Sequence, residues 1–158
     1  MGKNYKFDYS QFEDYVKNFK KASDNFETFL KKFMLKQGQR VVAAAKPRTP
    51  VDTGALRESY VIGKEAKAIR YDSSGKVSGA DYISAFANKA SIDDVKLVGN
   101  ELQVTISNPM EYASYIEYGH HSYLGRYMLT ISIDEVSRAM PSRFQKEFTK
   151  FLSDWGVK

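Results

Sequence analysis

The feature that most restricts the fold is a stretch of about thirty-five residues at the N-terminal end with no proline before Pro47 and a phenylalanine every seventh position. Phe12, Phe19, Phe26 and Phe33 recur in step, flanked by Tyr15, Val16, Ala22, Phe29 and Leu30. This spacing puts a broad apolar stripe on one side of a helix and lysines on the other. Ser10-Gln11-Phe12-Glu13 has the form of a capping box at its start. A helix from about Ser10 to about Ala45 is roughly 50 Å long at 1.5 Å per residue, longer than a compact domain of 158 residues is wide. Part of it should therefore overhang the core or lie against a neighbour. The stripe has two candidate partners, the protein's own sheet or a seam with another subunit. Phenylalanine suits a two-stranded coiled coil poorly, because that seam prefers branched aliphatics.

Further along, Pro47 and Pro50 are read as ending the first helix, and residues from about Arg57 to Tyr71 as extended, with Tyr60, Val61 and Ile62 favouring a strand. The Asp72–Gly79 segment is a turn or loop, and residues 80–90 have the character of a short helix. Val95 to Val98, then Gly99-Asn100, then Leu102, Val104 and Ile106 alternating with Gln103 and Thr105, reads as a β-hairpin with one wet face. Asn108-Pro109-Met110-Glu111 carries the signals of a helix start, and Gly119 those of a stop. From Leu129 to Trp155 apolar residues recur at three or four, in phase across Pro141: one bent helix, or two that share a face. The fold class expected is α+β, a long N-terminal and a C-terminal helix packed on a small antiparallel sheet with a short helix. The whole chain, 1–158, is read as a single domain, with residues 1–9 a flexible N-terminus and residues 72–93 an inserted loop or short helix.

Charge and composition narrow the function. Of 24 Lys and Arg and 19 Asp and Glu, residues 1–46 hold ten and five, so the whole excess of +5 lies there. Such a face is either plain solvated surface or a contact for an acidic partner or a phosphate backbone; Lys17, Lys20, Lys21, Lys31 and Lys32 are its candidate interface residues. The chain has no cysteine, which excludes disulfides and thiolate metal sites. It has no run of membrane-spanning length and no signal-peptide core, so no membrane partner is expected. A Gly-x-Ser-x-Gly elbow is missing, and the carboxylate pairs Asp93-Asp94 and Asp134-Glu135 are adjacent and so point apart. His120 and His121, with Glu117 or Glu111 nearby, invite a metal reading, but no third ligand is evident and a helix C-terminus favours histidine on electrostatic grounds alone. We expect no catalytic residue, no cofactor and no metal.

Two short motifs about fifty residues apart stand out. The first is Thr49-Pro50-Val51-Asp52-Thr53-Gly54-Ala55-Leu56-Arg57-Glu58-Ser59-Tyr60. Pro50 blocks the preceding helix, Asp52 can cap a single turn, Gly54 allows unusual dihedrals, Leu56 anchors and Arg57 can pair with a carboxylate. With one glycine and no Gly-Lys-Ser/Thr end it is not a phosphate loop. The second is Tyr112-Ala113-Ser114-Tyr115-Ile116-Glu117-Tyr118-Gly119-His120, read as a short helix with Tyr112 and Ile116 on its apolar face and a stop at Glu117-Tyr118-Gly119.

In order and spacing these parts resemble the tail-completion or head–tail connector (neck) family of tailed phages, also described as minor tail components. The resemblance spans about residues 10–140 and rests on Pro50, Asp52, Thr53, Gly54, Leu56 and Arg57, then Tyr112, Ile116, Glu117, Tyr118 and Gly119. Two departures stand beside it: Tyr127-Met128-Leu129 lacks the Pro-Phe lead-in to the last helix, and residues 72–93 look inserted. The resemblance implies a structural, non-catalytic protein of the virion neck, assembled in the bacterial cytoplasm. It implies a homo-oligomeric, hexameric ring between a head-closure or connector protein and the tail terminator or tube, with genomic DNA in the lumen a further partner. The competing readings are a nucleic-acid-binding module using the basic helix, a small metal-dependent hydrolase using His120, His121 and Glu117, and an oligomeric adaptor unrelated to phage.

Overall fold

A computed structural model of the chain describes residues 10–52, 54–63 and 90–157, with side chains in the first helix from residue 13 onward. Helix α1 runs Ser10–Arg48, α2 is the single turn Ala55–Glu58, and β1 is Val61–Ile62. After a 3-10 turn at Ile92–Asp94 come β2 (Val95–Val98), β3 (Glu101–Val104), β4 (Ile106–Ser107) and α3 (Ala113–Tyr118). Strands β5 (Gly119–His120) and β6 (Tyr123–Leu124) lead to α4, Met128–Asp154. The expected α+β class is what the structure has, with a long helix at each end and short antiparallel ladders between. The side chains of Ser10 in the capping box and of Phe12, the strand residues beyond Gly63, the 72–79 loop and the helix near 80–89 lie outside what is described.

Helix α1 is 39 residues long, about 58 Å. It runs through Pro47 for one more residue. Proline removes the donor that the carbonyl of Ala43, an exposed residue, would have received, and the next carbonyls are covered by the last turn. Arg48 Nη1 donates to Ala44 O at 2.6 Å, and the Thr49 N–H and hydroxyl both donate to Ala45 O, at 3.0 and 2.8 Å. The chain turns only at Pro50.

From Phe26 to Phe33 the phenylalanine stripe packs on α4 rather than on the sheet. Phe33 meets Phe144 edge-on at 5.2 Å between ring centroids, Phe29 stacks on Phe151 at 4.6 Å, and Phe26 meets Phe148 at 5.7 Å. The two helices run antiparallel, since Arg48 reaches Ser132 and Glu135, Lys36 reaches Glu147, and Gly156 lies against Asn18. Beyond Asn18 there is no more α4 to pack on, so the first turns of α1 overhang. A strict seven-residue repeat also drifts about 20° per repeat around a straight helix. Phe33 is accordingly buried, Phe26 borderline and Phe19 more than half exposed. Helix α4 is continuous through Pro141. The carbonyl of Ser137, deprived of its helical donor, sits on an exposed residue where water can satisfy it.

The C-terminal half of α1 also carries the strands. Strands β2 and β3 form the expected hairpin around Gly99-Asn100, pairing Val95 with Val104 and Val98 with Glu101. Leu102 and Val104 of β3 are half-buried while Glu101 and Gln103 are wet. Strand β1 pairs antiparallel with β4, Ile62 opposite Ile106. A Cβ on Gly38 would stand 3.4 Å from Val104 Cγ1 and 3.5 Å from Ile62 Cγ2, so this glycine lets both ladders approach the helix axis.

The joint between the two motifs

The first motif forms a corner, and its capping differs from expectation. The cap position of α2 is Gly54, at φ 82 and ψ −9, so the unusual dihedral expected of that glycine is present. Asp52 is not the cap of this turn; it and Pro50 are exposed. Thr53 is outside the described residues. Arg57 Nε donates to its neighbour Glu58 at 3.3 Å, and Lys46 Nζ donates to the same carboxylate at 2.6 Å. The Lys46 hydrogen bond holds the Glu58 carboxyl below the usual range. The Ser59 hydroxyl, fully buried, donates to Ala55 O.

Leu56 is the anchor. It packs with Met110 and Met128 in a buried cluster walled by Ala55, Tyr112, Ala113 and Ile116. Residues from the first motif, the second motif and the start of α4 therefore share one small core. Asn108 ties them again, and here the structure corrects the sequence. Its side chain does not cap α3, which begins at Ala113 after Tyr112. Asn108 Oδ1 accepts from Met110 N at 3.2 Å in a turn, and Nδ2 reaches across to Leu56 O at 2.8 Å.

The second motif supplies a carboxylate for a helix it does not belong to. Glu117 is 7% exposed at the end of α3. Its Oε2 accepts from Leu129 N at 3.0 Å, and its Oε1 accepts from Thr130 N at 2.9 Å and from the Thr130 hydroxyl at 2.7 Å. These amides open α4, whose own cap position is Tyr127, a residue without a capping side-chain bond and held at φ 49. A carboxylate there meets both the unpaired donors and the positive end of the helix dipole. Gly119 ends α3 as expected, at φ 86 and ψ 167. The β5–β6 hairpin then doubles back, so that Arg126 N donates to Ile116 O at 2.8 Å and Tyr127 N to Glu117 O at 3.0 Å. A Cβ on Gly119 would stand 2.5 Å from Tyr123 O, and one on Gly125 2.5 Å from Glu117 O. Both glycines let backbone press on backbone.

Tyr60 closes the joint. Its hydroxyl is 3.0 Å from Thr49 Oγ1, whose residue is buried, and 3.9 Å from Met128 Sδ. Burial, more than the opposing Thr49 hydrogen bond and the added charge of Glu117, pushes the phenol above its ordinary value. The folded state thus holds this proton more tightly than the unfolded chain. Its contribution to stability is complete below about pH 10 and is lost as pH rises from there through the raised folded value. Urea midpoints between about pH 9 and 11 should fall less steeply for Tyr60→Phe than for the parent; equal slopes would reject the assignment.

The carboxylate of the hydrolase reading is spent on α4. His120 and His121 face each other on the hairpin at 3.9 Å between ring centroids, with Tyr115 beside His120. Among the described residues no cluster of three His, Asp or Glu could hold a metal ion. Of the five candidate lysines, Lys17, Lys20, Lys21 and Lys32 are exposed with no carboxylate partner among the described residues, while Lys31 pairs with Glu27 at 2.8 Å. Lys36 and Arg40 pair with Glu147, and Arg48 with Glu135, so much of the basic excess of α1 is neutralised within the chain. Among the described residues no helix is long and apolar enough to cross a membrane. Sequence reasoning missed Asn108 as a tether, Met110 and Met128 as core, and Glu117 as the cap of α4. The one signal for the last was the want of Ser, Thr, Asp or Asn before Met128.

Residues 13–119 match the HK97-gp10-like family, described as "Bacteriophage HK97-gp10, putative tail-component". No curated protein and no solved structure matches the chain.

Proposed function

Because the chain belongs to the HK97-gp10-like family of bacteriophage tail components, we propose that it is a ring subunit of the virion neck. In this reading copies close into a hexamer that joins a head-closure or connector protein to the tail terminator or tube. The observation that carries the reading is where the apolar surface lies. The two motifs are consumed in an internal joint, while large apolar side chains stay at the surface at both ends of the α1–α4 pair: Tyr15, Val16 and Phe19 at one, Tyr115, Tyr118, Tyr123 and Leu124 at the other. Exposed aromatic surface of this extent marks a contact surface, and unlike patches on one subunit suit the heterologous contacts that generate rings. The role is mechanical and involves no reaction. Electron microscopy of assembled particles should place the subunit as a ring at the head–tail junction. Its absence from that joint, or a lone copy elsewhere, would refute the reading.

The exposed lysines fit an acidic neighbouring ring. Changing Lys17, Lys20, Lys21, Lys31 and Lys32 to glutamine should lower the yield of complete particles and flatten its dependence on salt. Particle counts by negative stain at low and high salt that match the parent would remove the lysines from the interface.

A further inference from the structure

The subunit carries two unlike apolar surfaces at opposite ends. The first turns of α1 present Tyr15, Val16 and Phe19, with Lys17, Lys20 and Lys21 alongside, around and beyond Asn18, against which Gly156 lies just after the end of α4. The other surface lies at the start of α4, where the β5–β6 hairpin holds Tyr123 at 79% and Leu124 at 93% exposed, next to Tyr118 at 68%. It runs on through Tyr127, half exposed, to Ile131 one turn along, where Ile131, Asp134, Glu135, Arg138 and Ala139 line an open groove. Resting on the ring reading above, we infer that the overhanging end of α1 in one copy seats on this tyrosine hairpin and groove in the next copy, head to tail.

Three observations select a second copy as the occupant. First, the areas fit. The exposed parts of these residues, tyrosine hydroxyls included, sum to on the order of 1,000 Å², close to the roughly 1,200 Å² at the low end of stable interfaces. Second, the charges and rings complement each other. The α1 end offers the ammonium groups of Lys17, Lys20 and Lys21 to tyrosine faces and to Asp134, which has no cationic partner among the described residues, and its exposed Glu13 and Asp14 to Arg138 of the same groove; Glu135 is already held by Arg48. Third, the placement is polar. A two-fold dimer through one surface alone leaves the other bare in both copies, and a reciprocal two-fold pair stops at two, whereas head-to-tail packing covers one of each at every contact and can close into a ring.

The chain has no cysteine, so introduced thiols are the only ones present. A full-length Phe19→Cys, Leu124→Cys double variant, concentrated and treated with a short flexible bis-maleimide, should give a ladder of dimer, trimer and higher species. Each single variant should stay uncrosslinked, and mixing the two should give one heterodimer. Leu124→Asp should keep the circular-dichroism spectrum of the parent and weaken self-association in sedimentation at least about tenfold. Dimers from either single variant, or a double variant whose crosslinking stops at dimer, would show a two-fold contact and overturn the inference. Oligomers in sedimentation without the ladder would move the contact to other surfaces and leave the ring reading standing. A chain that is monomeric at every concentration and gives no ladder overturns the contact too, and the ring reading is then decided by particle imaging alone.

Discussion

Replacing Glu117 with alanine should destabilise the protein by about 3 kcal/mol, a large effect for one surface-type side chain. The carboxylate accepts three hydrogen bonds between 2.7 and 3.0 Å from Leu129 and Thr130 while nearly buried. Hydrogen bonds to a charged acceptor are each worth about 1.5–3 kcal/mol, and loss of a helix N-cap about 0.5–2 kcal/mol. The amides freed by the substitution are partly reached by water, which keeps the total below the simple sum. Glu117→Gln keeps one good acceptor but turns an amide donor toward other donors, so about half the loss should remain. Urea denaturation of the three proteins gives the comparison, and a Glu117→Ala midpoint equal to the parent's would show that α4 needs no carboxylate at its start. The expected loss is a large fraction of the 5–15 kcal/mol by which a domain of this kind is stable.

The second large effect is expected at Phe33. Truncation to alanine should cost about 3–5 kcal/mol, the range for a buried aromatic, because the ring is 4% exposed between Phe29 and Phe144. Phe19, in the same seven-residue repeat but 56% exposed, should tolerate alanine within about 0.5 kcal/mol in the isolated subunit. Thermal melts of the two variants test whether the repeat is one seam or two. Equal losses would mean that the α1 overhang is packed in the free protein after all.

That contrast shows where the fold was legible in the sequence. The helices declared themselves because Phe26, Phe29 and Phe33, and Phe144, Phe148 and Phe151, recur at helical spacing, and periodicity needs no knowledge of the partner. The β2–β3 hairpin was legible because Gly99-Asn100 fixes its turn and Leu102 and Val104 alternate with polar residues. The partner of the phenylalanine stripe was not legible, because a stripe records only that something apolar covers it. The end of α1 was misjudged at Pro47, and at Pro141 the sequence left one helix or two open where the structure has one. Proline removes a donor at both, yet Arg48 and Thr49 cover the last carbonyls of α1, and Ser137, whose carbonyl loses its donor to Pro141, is an exposed residue.

In the joint, Leu56, Gly54 and Gly119 followed from local chemistry, since an anchor, a left-handed turn and a helix stop are each properties of a few consecutive residues. Asp52 failed as a cap because Gly54 occupies the cap position of α2. Asn108 and Glu117 act on Leu56 and on the start of α4, at separations of 52 and 12 or 13 residues. No local rule reports a hydrogen bond made across a tertiary gap. The want of a local cap at Tyr127 was a question the sequence posed and only the fold answers.

The pairing of α1 with α4 has a consequence during synthesis. Lys36 and Glu147 are 111 residues apart in the chain, and the aromatic zipper spans a similar distance. At about 5–20 residues per second of translation, the phenylalanines of α1 wait roughly 5–20 seconds on the ribosome before their covering helix exists. During that interval the nascent chain is a sticky amphipathic rod, and its solubility rests on the lysines of the opposite face and on whatever chaperone reaches it first.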